Sequence, residues 1–163
     1  MATKIIVSPK FPAAMLDIAR SFVPAGYEMV VVDAGTPEFT AALADAAYYV
    51  GFPRPELNSE FFKAASGLKL VQLISAGYDR LDVAAAKRAG VPVANNGGSN
   101  SVAVAEHTLM LMLAVYRKLS WHHGNVITGK WRVGDFASNR TYELEGKTLG
   151  IVGLGTIGKK VAR

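Results

Sequence analysis

Short apolar runs alternate with amphipathic stretches through the first hundred residues of the chain. Runs rich in β-branched and apolar residues predict strands over 4–8, 27–33, 46–50, 68–75 and 91–94. The stretches between these runs predict helices over 13–23, 37–45, 59–65 and 82–89. Because strands and helices alternate, we expect an α/β fold in which a flavodoxin-like parallel-sheet domain covers residues 1–98.

Local signals at the helix ends support these assignments. Met15, Ile18 and Phe22 recur on one face of the first predicted helix. Thr36 is a favourable N-cap, and Pro37 suits the first helical position because its ring fixes a helical φ. The chain therefore marks its first two helices by an apolar face and a cap.

The pattern changes after residues 95–101 (NNGGSNS), whose turn-forming residues predict a hinge. Apolar residues occupy nearly every helical face over 101–117, so we expect a helix buried against a neighbour. Weak periodicity over 121–140 predicts a connector that becomes structured by packing on its neighbours, and the apolar run 148–152 predicts a strand. We interpret residues 99–163 as a linking helix followed by the first strand, turn and helix of a Rossmann domain.

A glycine motif follows that last predicted strand. Gly153-x-Gly155-x-x-Gly158 has the spacing of a dinucleotide-binding turn, in which glycines allow a tight turn, close approach of the backbone to a pyrophosphate and close helix packing. The strand before it and the helix start after it favour this interpretation. The alternative is a tight βα turn in a sheet of another function.

Two loops at the predicted carboxyl edge of the sheet are candidates for ligand binding. Gly77 lets the loop after the fourth strand turn its amides toward a small anion, and Ala76 is too small to obstruct it. Arg54, after the third strand, can attract a carboxylate. The alternatives are a plain exposed turn at Arg54 and an ordinary βα turn in which Asp79 or Asp82 caps the next helix.

Composition excludes several classes of function. Half of the residues are hydrophobic and 19% are charged, which is typical of a globular protein. The net charge of +5 is scattered, with no run of Lys or Arg longer than two, so we expect no nucleic-acid partner. There is no cysteine and no apolar run of about 20 residues, and we expect a cytoplasmic protein without membrane contact.

The histidines do not suggest a catalytic or metal site. Glu106 and His107 are helix neighbours whose side chains point about 100° apart, so they do not form an acid–base pair. His122 and His123 lack metal-ligand spacing to another ligand. We therefore expect no metal and no catalytic histidine in this segment.

Four stretches resemble one enzyme family in order and spacing. They are LKLVQLISAGYDRLD (68–82), GVPVA (90–94), VAVAEHTLMLMLAVYR (102–117) and the region 129–158, which contains GKW and LEGKTLGIVGLGTIG. Through them nearly the whole chain resembles the N-terminal half of the D-isomer-specific 2-hydroxyacid dehydrogenases. The resemblance implies an NAD- or NADP-dependent oxidoreductase that interconverts 2-oxo acids and D-2-hydroxy acids, usually as a homodimer.

The resemblance also implies roles for particular residues. The amides of Ala76 and Gly77 would hold the substrate carboxylate, and Tyr78 and Arg54 are the visible candidates for pocket side chains. The cofactor would be held by the glycine motif and by the start of the linking helix, through Val104, Gly153, Gly155, Thr156, Ile157 and Gly158.

No position of this sequence matches the family's catalytic arginine, glutamate and acid–base histidine, which lie in its C-terminal half. We therefore expect these 163 residues to be inactive alone, the native polypeptide to be longer, and the isolated segment to self-associate or to be disordered in its last third. Two other hypotheses remain open: a non-catalytic flavodoxin-like module that binds a small carboxylate or a partner chain, and a dimerisation fragment carried by helix 101–117.

Overall fold

The computed structural model describes residues 2–134 and 139–163. The chain divides into two compact units, of which the first ends at Gly97 and the second begins at Gly98. Residues 135–138 of the predicted connector lie outside the described residues. Each unit has its own secondary structure.

The first unit is a five-stranded parallel sheet with helices between its strands. The strands are β1 (Thr3–Ser8), β2 (Tyr27–Val31), β3 (Ala46–Gly51), β4 (Leu70–Leu73) and β5 (Val93–Ala94), and their order is β2-β1-β3-β4-β5. The helices are α1 (Ala13–Ser21), α2 (Pro37–Leu43), α3 (Ser59–Ala64) and α4 (Val83–Arg88). This is the flavodoxin-like strand order, so the predicted α/β class is confirmed.

Side-chain caps fix the starts of helices α2, α3 and α4. Thr36 Oγ1 accepts a hydrogen bond from the Phe39 amide at 3.2 Å, as the sequence predicts for α2. Asp82 Oδ1 accepts from the Ala85 amide at 2.8 Å and caps α4 in the same way. The caps decide where each loop ends, and therefore which residues remain in the loops at the carboxyl edge of the sheet.

The core lies between the sheet and the helices α2, α3 and α4. Ile6, Tyr49 and Leu73 are fully buried at its centre, and Phe61 packs against the Tyr49 ring at 5.6 Å between centroids. The apolar face of α1 contributes nothing to this core, since no α1 residue is buried. The rigid part of the unit is therefore its sheet and the α2–α4 layer.

The second unit consists of α5 (Ser101–Tyr116), α6 (Leu119–Ile127) and α7 (Thr156–Val161), joined by irregular segments. Residues 121–127 of the predicted connector belong to α6, a helix that the sequence analysis missed. Two features hide this helix from sequence analysis. Lys118 breaks the helical path with φ +50°, and Gly124 and two histidines weaken the apolar periodicity.

Two other expectations for this unit are also wrong. Residues 148–152 pair with no strand in the described part of the chain, because a β-ladder needs a neighbouring strand and the second unit contains none there. Helix α5 contacts α6 and α7, but only Ser101 and Ala105 are buried, and Leu109, Leu111 and Val115 remain exposed. An apolar sequence predicts that a helix can be buried, but burial also needs a neighbouring surface that packs against it.

Candidate functional site

A cavity of about 570 Å³ lies beyond the carboxyl ends of β3 and β4. The loop after β3 contributes Phe52, Pro53, Arg54 and Glu56, and the loop after β4 contributes Ser75, Gly77, Asp79 and Arg80. Ligands of parallel α/β sheets bind at this edge because neighbouring strands open their loops there. The structure therefore brings two of the candidate residues, Arg54 and Gly77, to one cavity.

The backbone of residues 75–80, which we call the β4 loop, is held by its carbonyl groups. Ser75 O accepts from the Asn96 amide at 3.0 Å, and Ala76 O accepts from Asn95 Nδ2 at 2.7 Å. Gly77 O accepts from Ser75 Oγ at 2.8 Å. Each bond fixes one carbonyl group of the loop, and none of the three uses an N–H group of Ala76, Gly77 or Tyr78.

Unlike these carbonyl groups, three N–H groups of the β4 loop have no hydrogen-bond partner among the described residues. Within residues 2–134 and 139–163, no hydrogen bond involves the N–H of Ala76, Gly77 or Tyr78. All three residues are exposed, so their amides are free to donate to an anion from solvent. Successive free amides with fixed carbonyls make a small anion-binding surface.

Charged side chains surround that surface. Two arginines, Arg54 and Arg80, and two acidic residues, Glu56 and Asp79, line the cavity. Neither arginine forms an ion pair with another described residue. The two guanidinium groups can therefore each donate in a charge-assisted hydrogen bond to a bound carboxylate.

Three observations differ from the expected site. Ala76 and Tyr78 do not line the cavity, and the Tyr78 side chain is 53% exposed. Arg80 and Glu56 do line it, although neither was singled out from the sequence. Both residues lie in the two loops that the sequence analysis identified, and this was the available signal. The sequence does not show which of the loop residues line the cavity, because the direction of a side chain depends on the conformation of the turn around it.

A second candidate surface is the turn 153–158, which we call the glycine turn. Gly153 has φ +91°, a left-handed conformation that favours glycine. A Cβ at Gly158 would lie 2.2 Å from Gly153 O, so only glycine lets α7 pack against the turn. A Cβ at Gly155 would meet nothing within 4 Å. The space beside Gly155 is therefore open. Unlike Gly158, Gly155 is not required by the packing of the turn.

The start of α5 lies next to the glycine turn. A Cβ at Gly98, just before α5, would lie 4.0 Å from Thr156 Cγ2. Val104 is on the second turn of α5, where its amide donates to Asn100 O at 2.9 Å and its side chain is half-buried. Helix α5 thus starts within contact distance of the turn that begins α7.

The residue pattern and this geometry agree with one family of proteins. The family model for "D-isomer specific 2-hydroxyacid dehydrogenase, catalytic domain" matches residues 5–152, which cover both units up to the glycine turn. The chain belongs to this family. The match supports the resemblance that the sequence motifs indicated.

Curated and solved members of the D-2-hydroxyacid dehydrogenase family align with the chain. Formate dehydrogenase 2 of Oryza sativa subsp. japonica is 43% identical over 103 residues, which are 63% of this chain and 27% of that protein. D-3-phosphoglycerate dehydrogenase of Synechocystis is 31% identical over 163 residues, or 98% of this chain and 28% of that protein. The chain thus spans little more than a quarter of the length of these relatives.

The chain covers a larger share of a solved structure of the family than of these two relatives. The NAD-dependent formate dehydrogenase of Staphylococcus aureus, determined in complex with NAD, aligns with a TM-score of 0.74 and 26% identity. The alignment covers 98% of this chain and 52% of that one. The chain therefore corresponds to about half of that chain.

The described residues show neither a metal site nor a membrane-spanning helix. No group of three or more His, Asp or Glu side chains within residues 2–134 and 139–163 is placed to hold a metal ion. No helix in the described part of the chain is long and apolar enough to cross a membrane.

Proposed function

We propose that this chain is the N-terminal portion of an NAD(P)-dependent oxidoreductase that interconverts 2-oxo acids and D-2-hydroxy acids. The observation that carries the proposal is the family match over residues 5–152, directly followed by a glycine turn with open space at Gly155. In this proposal residues 1–98 bind the substrate. Residues 99–163 form the linking helix and the beginning of the NAD(P)-binding domain.

The β4 loop holds the substrate carboxylate in this function. The free amides of Ala76 and Gly77 donate to the carboxylate oxygens, and Arg54 and Arg80 place two positive charges beside them. Fixed carbonyls hold the loop in place before the substrate arrives, so little ordering cost is left for binding. Tyr78, at the exposed end of the loop, contacts the substrate from the solvent side.

The glycine turn holds the cofactor pyrophosphate. In this proposal the amides of Gly155, Thr156 and Ile157 donate to the pyrophosphate, and the proposal is supported by the open space at Gly155, where an added Cβ would meet nothing within 4 Å. Gly153 and Gly158 shape the turn, and Val104 lies beside the cofactor from the start of α5. When bound, the nicotinamide cofactor supplies or accepts the hydride, while these residues bind and orient it. Both NAD and NADP fit this role.

We assign no catalytic residue to the segment and propose that these 163 residues do not catalyse the reaction alone. A 2-oxo acid needs a proton donor at the carbonyl oxygen when hydride arrives at its carbon. None of the described histidines lines the cavity of the β4 loop. The family's catalytic arginine, glutamate and histidine have no matching positions here, so the segment supplies binding and orientation.

We further propose that the enzyme is a homodimer. Exposed apolar side chains on α5, among them Leu109, Met110 and Leu113, support this state because burying them would remove apolar surface from water. Sedimentation equilibrium of the chain tests the proposal, with a dimer mass expected. A monomer at all concentrations would contradict it.

The cofactor role is tested by a pair of glycine variants. Gly155→Val places a side chain in the open space of the glycine turn, and Gly150→Val does the same in the same unit but outside the turn. Neither glycine has a left-handed φ or an atom within 4 Å of an added Cβ, so both variants should fold. We expect Gly155→Val to raise the Kd of NADH at least tenfold and Gly150→Val to leave it unchanged, measured by NADH fluorescence.

The same titration separates the outcomes. Equal NADH affinity in the wild type and Gly155→Val would remove the cofactor from the glycine turn. An absence of NADH binding by the well-folded wild-type chain, judged from its circular dichroism, would count against the whole proposal.

A further inference from the structure

Four charged residues line the cavity beyond β3 and β4. Arg54 and Glu56 come from the loop after β3, and Asp79 and Arg80 come from the β4 loop. No ion pair among the described residues includes any of the four. Because the free amides of the β4 loop hold one carboxylate in the proposed function, charged side chains remain available for a second group of the same ligand.

The loop of residues 52–57, which we call the β3 loop, holds Arg54 in a stiff backbone. Pro53 and Pro55 flank Arg54, and each proline ring fixes one φ angle. The Leu57 amide donates to Arg54 O at 3.0 Å, and Leu57 itself is fully buried. The backbone at Arg54 is therefore constrained before a ligand binds.

Two further contacts tie the β3 loop to its surroundings. Leu57 O accepts from the Asp82 amide at 3.4 Å, which links the loop to the start of α4. Phe52, which also lines the cavity, contacts Phe11 with 6.0 Å between the ring centroids. Since the loop is already ordered, little of the free energy of binding is spent on ordering its backbone.

Arg54 differs from the other three charged residues in its burial. It is half-buried, whereas the other three are exposed. A partly shielded charge acts more strongly than an exposed one because less water surrounds it. Burial raises the pKa of the Tyr49 phenol to about 12, and of the two charged residues that act on this phenol, Arg54 has a larger effect than Glu56. The positive charge of the β3 loop therefore outweighs the negative one.

The two acidic residues limit the charge that a ligand can carry. Asp79 Oδ2 would lie 3.6 Å from a Cβ added at Gly77, so a carboxylate lies beside the loop amides. Glu56 follows Arg54 by two positions and lines the same cavity. A phosphate ester, with a charge of about −1.5 to −2, would be repelled more strongly than a carboxylate with a single charge. A second carboxylate therefore fits this cavity better than a phosphate.

We propose that the substrate carries a second carboxylate on its side chain, which makes it a 2-oxo or D-2-hydroxy dicarboxylic acid. The amides of Ala76 and Gly77, with Arg80 beside them, hold the carboxylate next to the reacting carbon, and Arg54 holds the second one. The cavity volume of about 570 Å³ is typical of small-molecule sites and leaves room for such an acid. This inference rests on the function proposed above and adds Arg54 as the residue that determines specificity.

A series of small D-2-hydroxy acids tests the charge of the second group. D-lactate carries a methyl group there, D-isoserine an ammonium group and D-3-phosphoglycerate a phosphate ester, whereas D-malate and D-2-hydroxyglutarate carry a carboxylate at two different distances. We would titrate the ¹⁵N-labelled 163-residue chain with each acid and follow the amide signals of Ala76 and Gly77 by NMR. At least one dicarboxylate should bind tenfold more tightly than D-lactate, because it adds a charge-assisted hydrogen bond.

Variants assign this preference to Arg54. Arg54→Gln should reduce the preference for the dicarboxylate over D-lactate about tenfold, whereas Arg54→Lys, which keeps the charge, should restore it to within about threefold of wild type. Arg80→Gln should weaken the binding of both acids and leave the preference intact. Arg20→Gln removes the same charge from α1, outside the lining of the cavity, and should bind both acids as the wild type does. Circular dichroism checks that each variant is folded.

D-lactate separates a failure of this inference from a failure of the proposed function. Binding of D-lactate without a preference for either dicarboxylate would overturn the second carboxylate and leave the proposed function standing. The absence of a response to every acid would overturn both.

Three other outcomes would also overturn the inference. Tighter binding of D-isoserine than of the dicarboxylates would assign the second group to the acidic residues of the cavity. Tighter binding of D-3-phosphoglycerate would replace the carboxylate by a phosphate. An equal loss of preference in Arg20→Gln and Arg54→Gln would reduce the effect to the net charge of the chain.

Discussion

Gly158 lies so close to Gly153 that a Cβ on the former would be 2.2 Å from the carbonyl oxygen of the latter. No real Cβ tolerates such a contact with backbone, so the start of α7 must move if any side chain is added. The third glycine of the motif is therefore required by packing, whereas the second, Gly155, has open space around it.

Gly158→Ala should therefore damage the structure of the second unit before it affects any ligand. We expect the free energy of unfolding to fall by about 2 kcal/mol through overpacking, measured by urea denaturation. Gly150→Ala is the matched control because its Cβ would meet nothing within 4 Å. Equal stability of the two variants would mean that α7 does not pack on the turn.

The pairing of β1 with β3 likewise requires glycine at position 51. Gly51 pairs with Ser8 in the ladder, and a Cβ there would lie 2.2 Å from Ser8 O. Gly51→Ala should lower the free energy of unfolding by about 3 kcal/mol, since a strand of the core must shift. Gly67→Ala, whose Cβ would make an ordinary 3.6 Å contact with Ala46 O, should stay within about 1 kcal/mol of wild type. Chemical denaturation of both variants decides the point, and a stable Gly51→Ala protein would contradict the observed ladder.

Tyr49 predicts a loss of stability at alkaline pH. Burial raises the pKa of its phenol to about 12 from 10.0, although the nearby Ser8 hydroxyl lowers it to a smaller extent without meeting hydrogen-bond geometry. The pKa of Tyr49 in the folded state lies above its pKa in the unfolded state. The contribution of the neutral phenol to the free energy of unfolding is therefore complete below pH 10 and is lost as the pH rises toward 12. The loss is about 3 kcal/mol by linkage.

Tyr49→Phe isolates this effect because it removes the titrating group and keeps the ring. The phenol oxygen has no hydrogen-bond partner among the described residues, so at neutral pH the variant should be as stable as wild type or up to about 1 kcal/mol more stable. Between pH 10 and 12 it should lose less stability than wild type, by urea unfolding at each pH. Tyr27→Phe, which alters an exposed phenol, is the control. Parallel pH curves for wild type and Tyr49→Phe would contradict the assignment.

The cavity of the β4 loop predicts a role for Arg80 in binding a carboxylate. Arg80→Gln should raise the Kd of pyruvate about tenfold, because one charge-assisted hydrogen bond is lost. Gly77→Val should weaken binding similarly, because the valine side chain would cover the loop amides. The variant should fold, since only Asp79 Oδ2, at 3.6 Å, lies near the added Cβ. Isothermal titration of the chain measures both changes.

Arg20→Gln provides the comparison for Arg80→Gln. Arg20 is an exposed arginine on α1 that pairs with Asp17 at 2.9 Å, far from the lining residues of the cavity in sequence and absent from that lining. Its removal should leave pyruvate binding unchanged. If Arg20→Gln and Arg80→Gln weakened binding equally, the effect would be one of net charge and the cavity would not be the site.

The sequence by itself determined the elements whose signals are local. Apolar runs located all five strands of the sheet to within a few residues, and Thr36 and Asp82 marked helix starts because a cap acts within one turn of chain. The left-handed φ of Gly153 was also foreseeable, since the motif needs glycine there.

Tertiary structure decided whatever depends on distant neighbours. Residues 148–152 have strand composition but pair with no strand among the described residues. Helix α5 has apolar residues on most faces, but only Ser101 and Ala105 are buried. Helix α6 was missed because its apolar periodicity is weak and because its start is set by the left-handed conformation of Lys118, which the sequence does not indicate.

The candidate sites divide in the same way. Sequence indicated the β4 loop and the glycine turn, whose glycines carry local meaning. Only the folded chain showed that the carbonyls of the β4 loop are held by Asn95, Asn96 and Ser75, and that Arg80 lines the cavity. The reason is physical: local conformational preference is encoded within a few residues, whereas the direction of a side chain and the charge around it are set by elements far apart in the chain.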